Sequence, residues 1–229
     1  MKIIAGFLAL SLIACHTRAG QTWQGALAAM PLETNATELT RTNCVNLMLR
    51  SFRSNDTVKV LVFMPGATDE FNFYRRANAH LTNPAPSMLD AVTALTNQTR
   101  IRADFFPPML LLHSPEDPLD IELRVADQPT LDRFKQTKFL PPHLLSLDQD
   151  YDHLLPQIED KLKVKLYPPI NSTDTFHFYR HSFAAWNITQ WQVLEVMALA
   201  GKTTLGIGTN QLFFDGDARW MTTPSGGMK

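Results

Sequence analysis

Apolar side chains recur at helical spacing between residues 189 and 201. Trp191, Leu194 and Met197 fall on one face, flanked by Val193 and Ala200, which predicts an amphipathic helix. Thr189, with Gln192 three residues on, forms a capping-box pattern that satisfies backbone N–H groups at a helix start. Gly201 stands just past the expected end, where a left-handed backbone is easiest for glycine. Upstream, Phe176 and Phe178 alternate with His177 and Tyr179, which is strand periodicity. Downstream, TTLGIG and QLFF are two short extended segments, and Asp215-Gly216 marks a turn.

The first half has the same grammar. NAHLTN is extended, Asn83 is positioned to cap, and Pro84 suits a first helical position. Met88, Leu89, Val92 and Leu95 form a buried stripe, and IRADFF and MLLLHS are the strands that follow. A helix leads each half: 40–52 in one, and the weaker pattern 151–162 in the other.

These parallels belong to a repeat. TDEFNFYR (68–75) and TDTFHFYR (173–180) agree at six of eight positions. Flanking segments line up on both sides, which points to a duplication of about 105 residues. The order per unit is helix, strand, strand, helix, strand, strand, with room for a leading strand. It predicts an α+β protein of two tandem small sandwiches, each a mixed sheet with helices on one face. The expected division is a signal peptide (1–14), a linker (15–38), modules at 39–127 and 128–217, and a flexible tail (218–229). The boundary falls in the polar, Pro-containing VADQPTLDR.

The 229 residues suffice for one large domain or two small ones. The formal net charge of −1, with no block of like charges, removes the electrostatic footprint of a nucleic-acid or anionic-lipid binder. The N-terminus carries an address. Lys2 precedes an apolar run from Ile3 to Ala14, then Cys15; the run has the size of a signal-peptide core and is too short to span a bilayer. Leu12-Ile13-Ala14-Cys15 resembles the bacterial lipobox, which implies cleavage and lipidation at Cys15; the alternative is ordinary secretion with cleavage after Ala19. The only other cysteine, Cys44, lies in an apolar helical stretch and reads as a buried, inert thiol. Asn-X-Thr at Asn35, Asn55, Asn97, Asn171 and Asn187 keeps a eukaryotic secreted glycoprotein as a competing reading.

Residues 176–215, with ITQWQVLEVMALAGKTTLGIGTNQLFF at their centre, resemble the secretin and TonB short N-terminal domain. Residues 78–113 are similar with weaker identity. Neither copy has the family's Thr-Gly at the helix end; Asn97-Gln98-Thr99 and Gly201-Lys202-Thr203 stand there. The resemblance implies periplasmic modules acting in assembly or signalling through protein contacts, with no catalytic residue to carry over.

Gly201-Lys202-Thr203-Thr204 invites a nucleotide reading, but Val196 occupies the first glycine position of a phosphate loop and the segment follows a helix. A helix C-terminus repels phosphate and suits Lys202. His177 and His181 have zinc-like spacing but sit in an alternating strand pattern. His113, Glu116 and Asp117 read as a solvated loop, and Asp148, Asp150, Tyr151, Asp152 and His153 as a helix start rather than a cation site. The hydrolase elbow Gly-X-Ser-X-Gly and the zinc motif His-Glu-X-X-His are both missing. Ser225-Gly226-Gly227 lies in a polar tail. Of Trp186, Trp191, Trp220, Tyr74 and Tyr179, most are expected in the core, with Trp220 outside it. The expectation is therefore a non-enzymatic envelope lipoprotein, periplasmic or outer-membrane, without cofactor, metal or nucleotide. A secreted hydrolase or small-ligand-binding protein with a scattered site is the alternative.

Overall fold

The computed structural model describes residues 22–64 (except 36 and 41), 78–116, 119, 123–139, 145–149, 151–167, 181–201, 203–209 and 211–216. The first half holds α1 (Trp23–Ala28), β1 (Glu38–Leu39), α2 (Cys44–Ser51), β2 (Val60–Phe63), β3 (Ala79–His80), α3 (Met88–Gln98), β4 (Arg102–Phe106) and β5 (Met109–His113). After β6 (Leu123–Val125) come α4 (Gln128–Gln136), β7 (Leu145–Gln149), α5 (Tyr151–Leu162), β8 (Lys165–Tyr167), β9 (His181–Ala185), α6 (Gln190–Gly201), β10 (Thr203–Gly208) and β11 (Gln211–Gly216). The class is α+β, with mixed sheets.

The order α-β-α-β-β-α-β-β recurs, and so do the pairings. The leading strands pair antiparallel with the third strands, β1 with β3 and β7 with β9. The closing hairpins β4–β5 and β10–β11 are antiparallel. The second hairpin strand then takes an earlier strand in parallel, β5 with β2 and β11 with β8. Isolated bridges Pro31–Ser87 and Lys138–Thr189 tie the chain after each first helix to the start of each third helix. Beside them Met88 N–H donates to Met30 O at 2.8 Å and Gln190 N–H to Thr137 O at 2.9 Å.

Two expectations from the sequence change here. Residues 15–38 do not serve as a linker where they are described: Ala26, Leu27, Met30 and Leu32 are buried in the first core. The apolar side of α1 draws this segment in, so the first unit begins at α1. The division at 127/128 also fails to separate the strands. The five-stranded sheet runs β4-β5-β2-β9-β7 and the four-stranded sheet β6-β10-β11-β8, so each contains strands from both sides. An unpaired edge exposes peptide groups, and β9 covers that of β2 while β6 covers that of β10.

The central sheet is apolar on both faces. Along β2, Leu61 and Phe63 face a core with α1, α2 and α3, while Val60 and Val62 face a core with α4, α5 and α6. Helices lie on both faces of this sheet rather than one. The second core is closed by Leu205, Ile207, Leu212 and Phe214 from the four-stranded sheet. Both cores depend on strand alternation, which sends successive side chains to opposite faces.

Capping follows the sequence in one half and shifts in the other. Thr189 N–H donates to Gln192 Oε1 at 2.8 Å and Gln192 N–H to Thr189 Oγ1 at 3.2 Å. In the first half the cap is Ser87 rather than Asn83: Asp90 N–H donates to Ser87 Oγ at 3.2 Å and Ser87 N–H to Asp90 Oδ2 at 2.7 Å. Asn83 instead accepts from Ala85 N–H in a local turn. The Ser87 backbone N–H, with the Ser87 hydroxyl adding to it, holds the Asp90 carboxyl below the usual carboxylate range. Ser87→Ala should lower stability by about 1 kcal/mol. Because Asp90 is depressed in the folded state, its contribution is full above the unfolded carboxylate range and is lost as pH falls through the lowered folded value. Chemical denaturation from neutral pH to about pH 3 checks both points. Gly201 is a correction: it is the last residue of α6, and no described glycine has a positive φ. The left-handed backbone expected at that position is not formed.

Candidate interaction surface

The outward face of the four-stranded sheet follows from its register. Leu166, Leu212, Leu205 and Ile207 point into the core, so their chain neighbours point out. Across the strands this places Gly206, Phe213 and Tyr167 in one outward row. Tyr167 and Phe213 stack with ring centroids 5.1 Å apart and an interplanar angle of 17°. They remain 39% and 38% exposed, unusual for rings that could each hide a large apolar area. Beside Phe213 lies a hollow of about 310 Å³ over Gly206 and Gly208, with Thr204 and Gln211 at its sides. The hollow exists because glycine has no side chain to fill it. A Cβ on Gly208 would come within 3.1 Å of Gln211 Cγ.

The repeat gives this face a reference. Val62 pairs with Leu111 as Tyr167 pairs with Phe213. Val62 and Leu111 are 0% and 1% exposed, covered by the core of the second half. The same position on the second sheet carries two aromatic rings in contact with solvent. Lys165 stands where Val60 stands in the first half, and its Nζ lies 3.0 Å from Glu159 Oε1.

Other candidates fall elsewhere. His113 is no solvated loop residue: it ends β5 and is 3% exposed. Its Nε2 lies 2.6 Å from Asp104 Oδ2 and its Nδ1 2.6 Å from Ser114 O. Both ring nitrogens are therefore engaged by neighbouring protein oxygens. The hydrophobic run MLLLH drew His113 inward with the strand. Ser114 bonds Glu116 beside it. Cys44 is 1% exposed, and burial pushes its thiol up to about 12. Trp191 is partly buried, with Lys135 Nζ 5.7 Å from its ring centroid. Trp186 is 39% exposed and so departs from the core expectation; it follows the last residue of β9, where the strand leaves the sheet.

Cys15, Tyr74, Asp117, Asp150, His177, Tyr179, Lys202, Trp220 and Ser225 lie outside the described residues. So do the side chains of Asp148, Tyr151, Asp152, His153 and His181, whose backbones belong to β7, α5 and β9. Among the described residues no cluster of three or more histidine, cysteine or acidic side chains is placed to hold a metal. No described helix is long and apolar enough to cross a membrane. The segment AGKTT runs from the end of α6 into β10, the reverse of the strand-to-helix order that a phosphate loop requires.

Tyr167 and Phe213 had a faint signal in the sequence. The alternation in KVKLY and QLFF assigns Leu166, Leu212 and Phe214 to one face and Tyr167 and Phe213 to the other. Which face is wet depends on the neighbouring layer, and no local pattern encodes that. No family model, no curated protein and no solved structure matches this chain.

Proposed function

We propose that this chain is a non-enzymatic, envelope-anchored lipoprotein built from two modules of the secretin and TonB short N-terminal kind. It acts through protein–protein contacts, in the setting of a secretion or outer-membrane assembly. The observation that carries the reading is the recurrence of one strand-pairing scheme in both halves, joined into a continuous sheet by strand addition. Two further features support it. The exposed Tyr167–Phe213 pair offers an apolar surface, and exposed apolar patches favour contacts. The imidazole of His113, itself buried, has both ring nitrogens engaged, by Asp104 and Ser114.

Anchoring is tested at Cys15. In the native host the wild-type chain should sediment with membranes, and Cys15→Ser should move it to the soluble fraction. Each buried lipid methylene contributes about 0.8 kcal/mol, and several acyl chains together make attachment effectively stable. Intact mass of the purified protein should show a diacylglyceryl addition at Cys15. A soluble wild type, or a ladder of hexoses in place of lipid, would remove the lipoprotein reading.

A further inference from the structure

Helices and sheets alternate through the molecule. The helices α1, α2 and α3 pack on one face of the five-stranded sheet. The helices α4, α5 and α6 fill the space between its other face and the four-stranded sheet; α6 meets β2 and β9 on one side and β10 on the other. The order of layers is helix, sheet, helix, sheet. Every described helix is used in one of the two cores. The repeat says what a further layer would be. The face of the first sheet that carries Val62 and Leu111 is covered by the α4–α6 layer, and the equivalent face of the second sheet carries the partly exposed Tyr167 and Phe213.

The outward row shapes that face. Tyr167, Phe213 and Gly206 are neighbours across three strands, which lie about 4.8 Å apart. The two rings stack at 5.1 Å, close to one strand spacing. The third place in the row has no side chain, so Phe213 borders the hollow of about 310 Å³ on the side away from Tyr167. Two raised rings thus stand next to a depression, and no ionisable side chain lines it.

A second copy has no helix to lay there. In α6 the residues at 196–200 are all buried, as are Val193 and Leu194. The outer layer turns polar side chains to solvent, Thr93 and Asn97 from α3 and Asn46 and Arg50 from α2. Counted from the capping residues Ser87 and Thr189, Ala198 and Leu199 stand at the places of Thr96 and Asn97. An inner helix is apolar on all sides and an outer one on a single stripe, and here both kinds have spent their apolar surface within the chain.

We propose that the outer face of the four-stranded sheet binds an amphipathic helix of a different protein, laid over Tyr167, Phe213 and the Gly206–Gly208 hollow as the α4–α6 layer is laid over Val62 and Leu111. This rests on the protein-contact reading above. The relief of the face specifies the helix: small residues above the two rings, and one large apolar side chain set into the hollow against Phe213. A stripe of such anchors on one helical face is a recurrent mode of peptide recognition, and a helix on a sheet is the packing the fold already uses.

The probe is a peptide of residues 189–201, TQWQVLEVMALAG, the chain's own inner helix, stapled to hold it helical and tagged with lysines for solubility. Titrated into the full chain, it should shift backbone amide resonances of residues 204–208 and 211–213 to saturation. Gly206→Leu fills the hollow and Phe213→Lys sets a charge beside it, and each should weaken binding by about tenfold or more. Both positions face outward, and a Cβ on Gly206 meets Phe213 Cβ at an ordinary 3.5 Å, so both variants should keep the wild-type melting temperature. Thr93→Lys on α3 should bind as wild type does. Shifts confined to β2 and β9, no binding at millimolar peptide, or unchanged affinity in Gly206→Leu would overturn the site. Wild type should sediment as a monomer. Dimers that Phe213→Lys abolishes would make the occupant a second copy, and resonances of 204–208 that move on Trp220→Ala without peptide would make it the chain itself; either overturns the proposal. In the anchored protein, a photo-crosslinker at Gln211 should capture a different protein and lose it in Gly206→Leu. Capture from Thr93 but not from Gln211 would overturn the site while leaving the protein-contact function standing; capture from neither would count against both.

Discussion

Phe183→Ala should destabilise both halves of the molecule together, by about 3–5 kcal/mol. Phe183 is fully buried and lies on β9, between β2 of the first half and β7 of the second. Its ring packs in the core shared by Val62, Leu111 and α6. Truncation leaves a cavity in that core and loosens the β2–β9 pairing at the centre of the sheet. Phe63→Ala should do the same from the opposite face, since Phe63 sits on the next strand, in the core with α1, α2 and α3. Typical domains have only about 5–15 kcal/mol to lose, so Phe183→Leu, expected to cost under about 1.5 kcal/mol, provides a milder arm. Each variant should move a single cooperative transition, seen alike by far-ultraviolet circular dichroism and by tryptophan fluorescence. Two separate transitions, with Phe183→Ala shifting only one, would mean that the halves fold independently and that the shared sheet contributes little.

Cys44 should be nearly inert to thiol reagents in the native protein. It is 1% exposed, and burial raises its pKa to about 12. The thiolate is the reactive form. In a Cys15→Ser background, labelling at pH 8 should be about a thousandfold slower than in the unfolded chain. Denaturant should accelerate it as the core opens. Labelling at the unfolded rate in buffer would show that α2 is not packed as described. The same shift gives an alkaline signature. The folded value is raised above the unfolded one, so this stability is fully present below about pH 9 and is lost as pH rises towards 12. The slope is about 1.4 kcal/mol per pH unit, and Cys44→Ala should flatten that limb.

The elements were largely legible and their assembly was not. α5 covers 151–162 as its pattern indicated, β4 and β5 lie within IRADFF and MLLLHS, and Thr189 with Gln192 caps α6. These depend on neighbours within four residues, and local rules govern them. The first-half cap was misplaced because Asn83-Pro84 offers a plausible start, whereas the chain forms a turn there and delays the helix to Ser87. Tyr167 and Phe213 were missed because alternation names a face without saying what covers it.

The sequence alone determined the α+β class, the repeated order of elements apart from the leading helices α1 and α4, and the burial of Cys44, since periodicity, capping and composition are short-range properties of the chain. The tertiary structure decided how the repeats join. It inserted β9 beside β2, drew α1 into the first core, turned His113 inward against Asp104 and left the Tyr167 and Phe213 rings partly exposed on the outer face of β8 and β11. The physical reason is that strand edges are nearly degenerate at the level of sequence. Every edge presents the same peptide groups, and the choice among them rests on side chains far away in the chain.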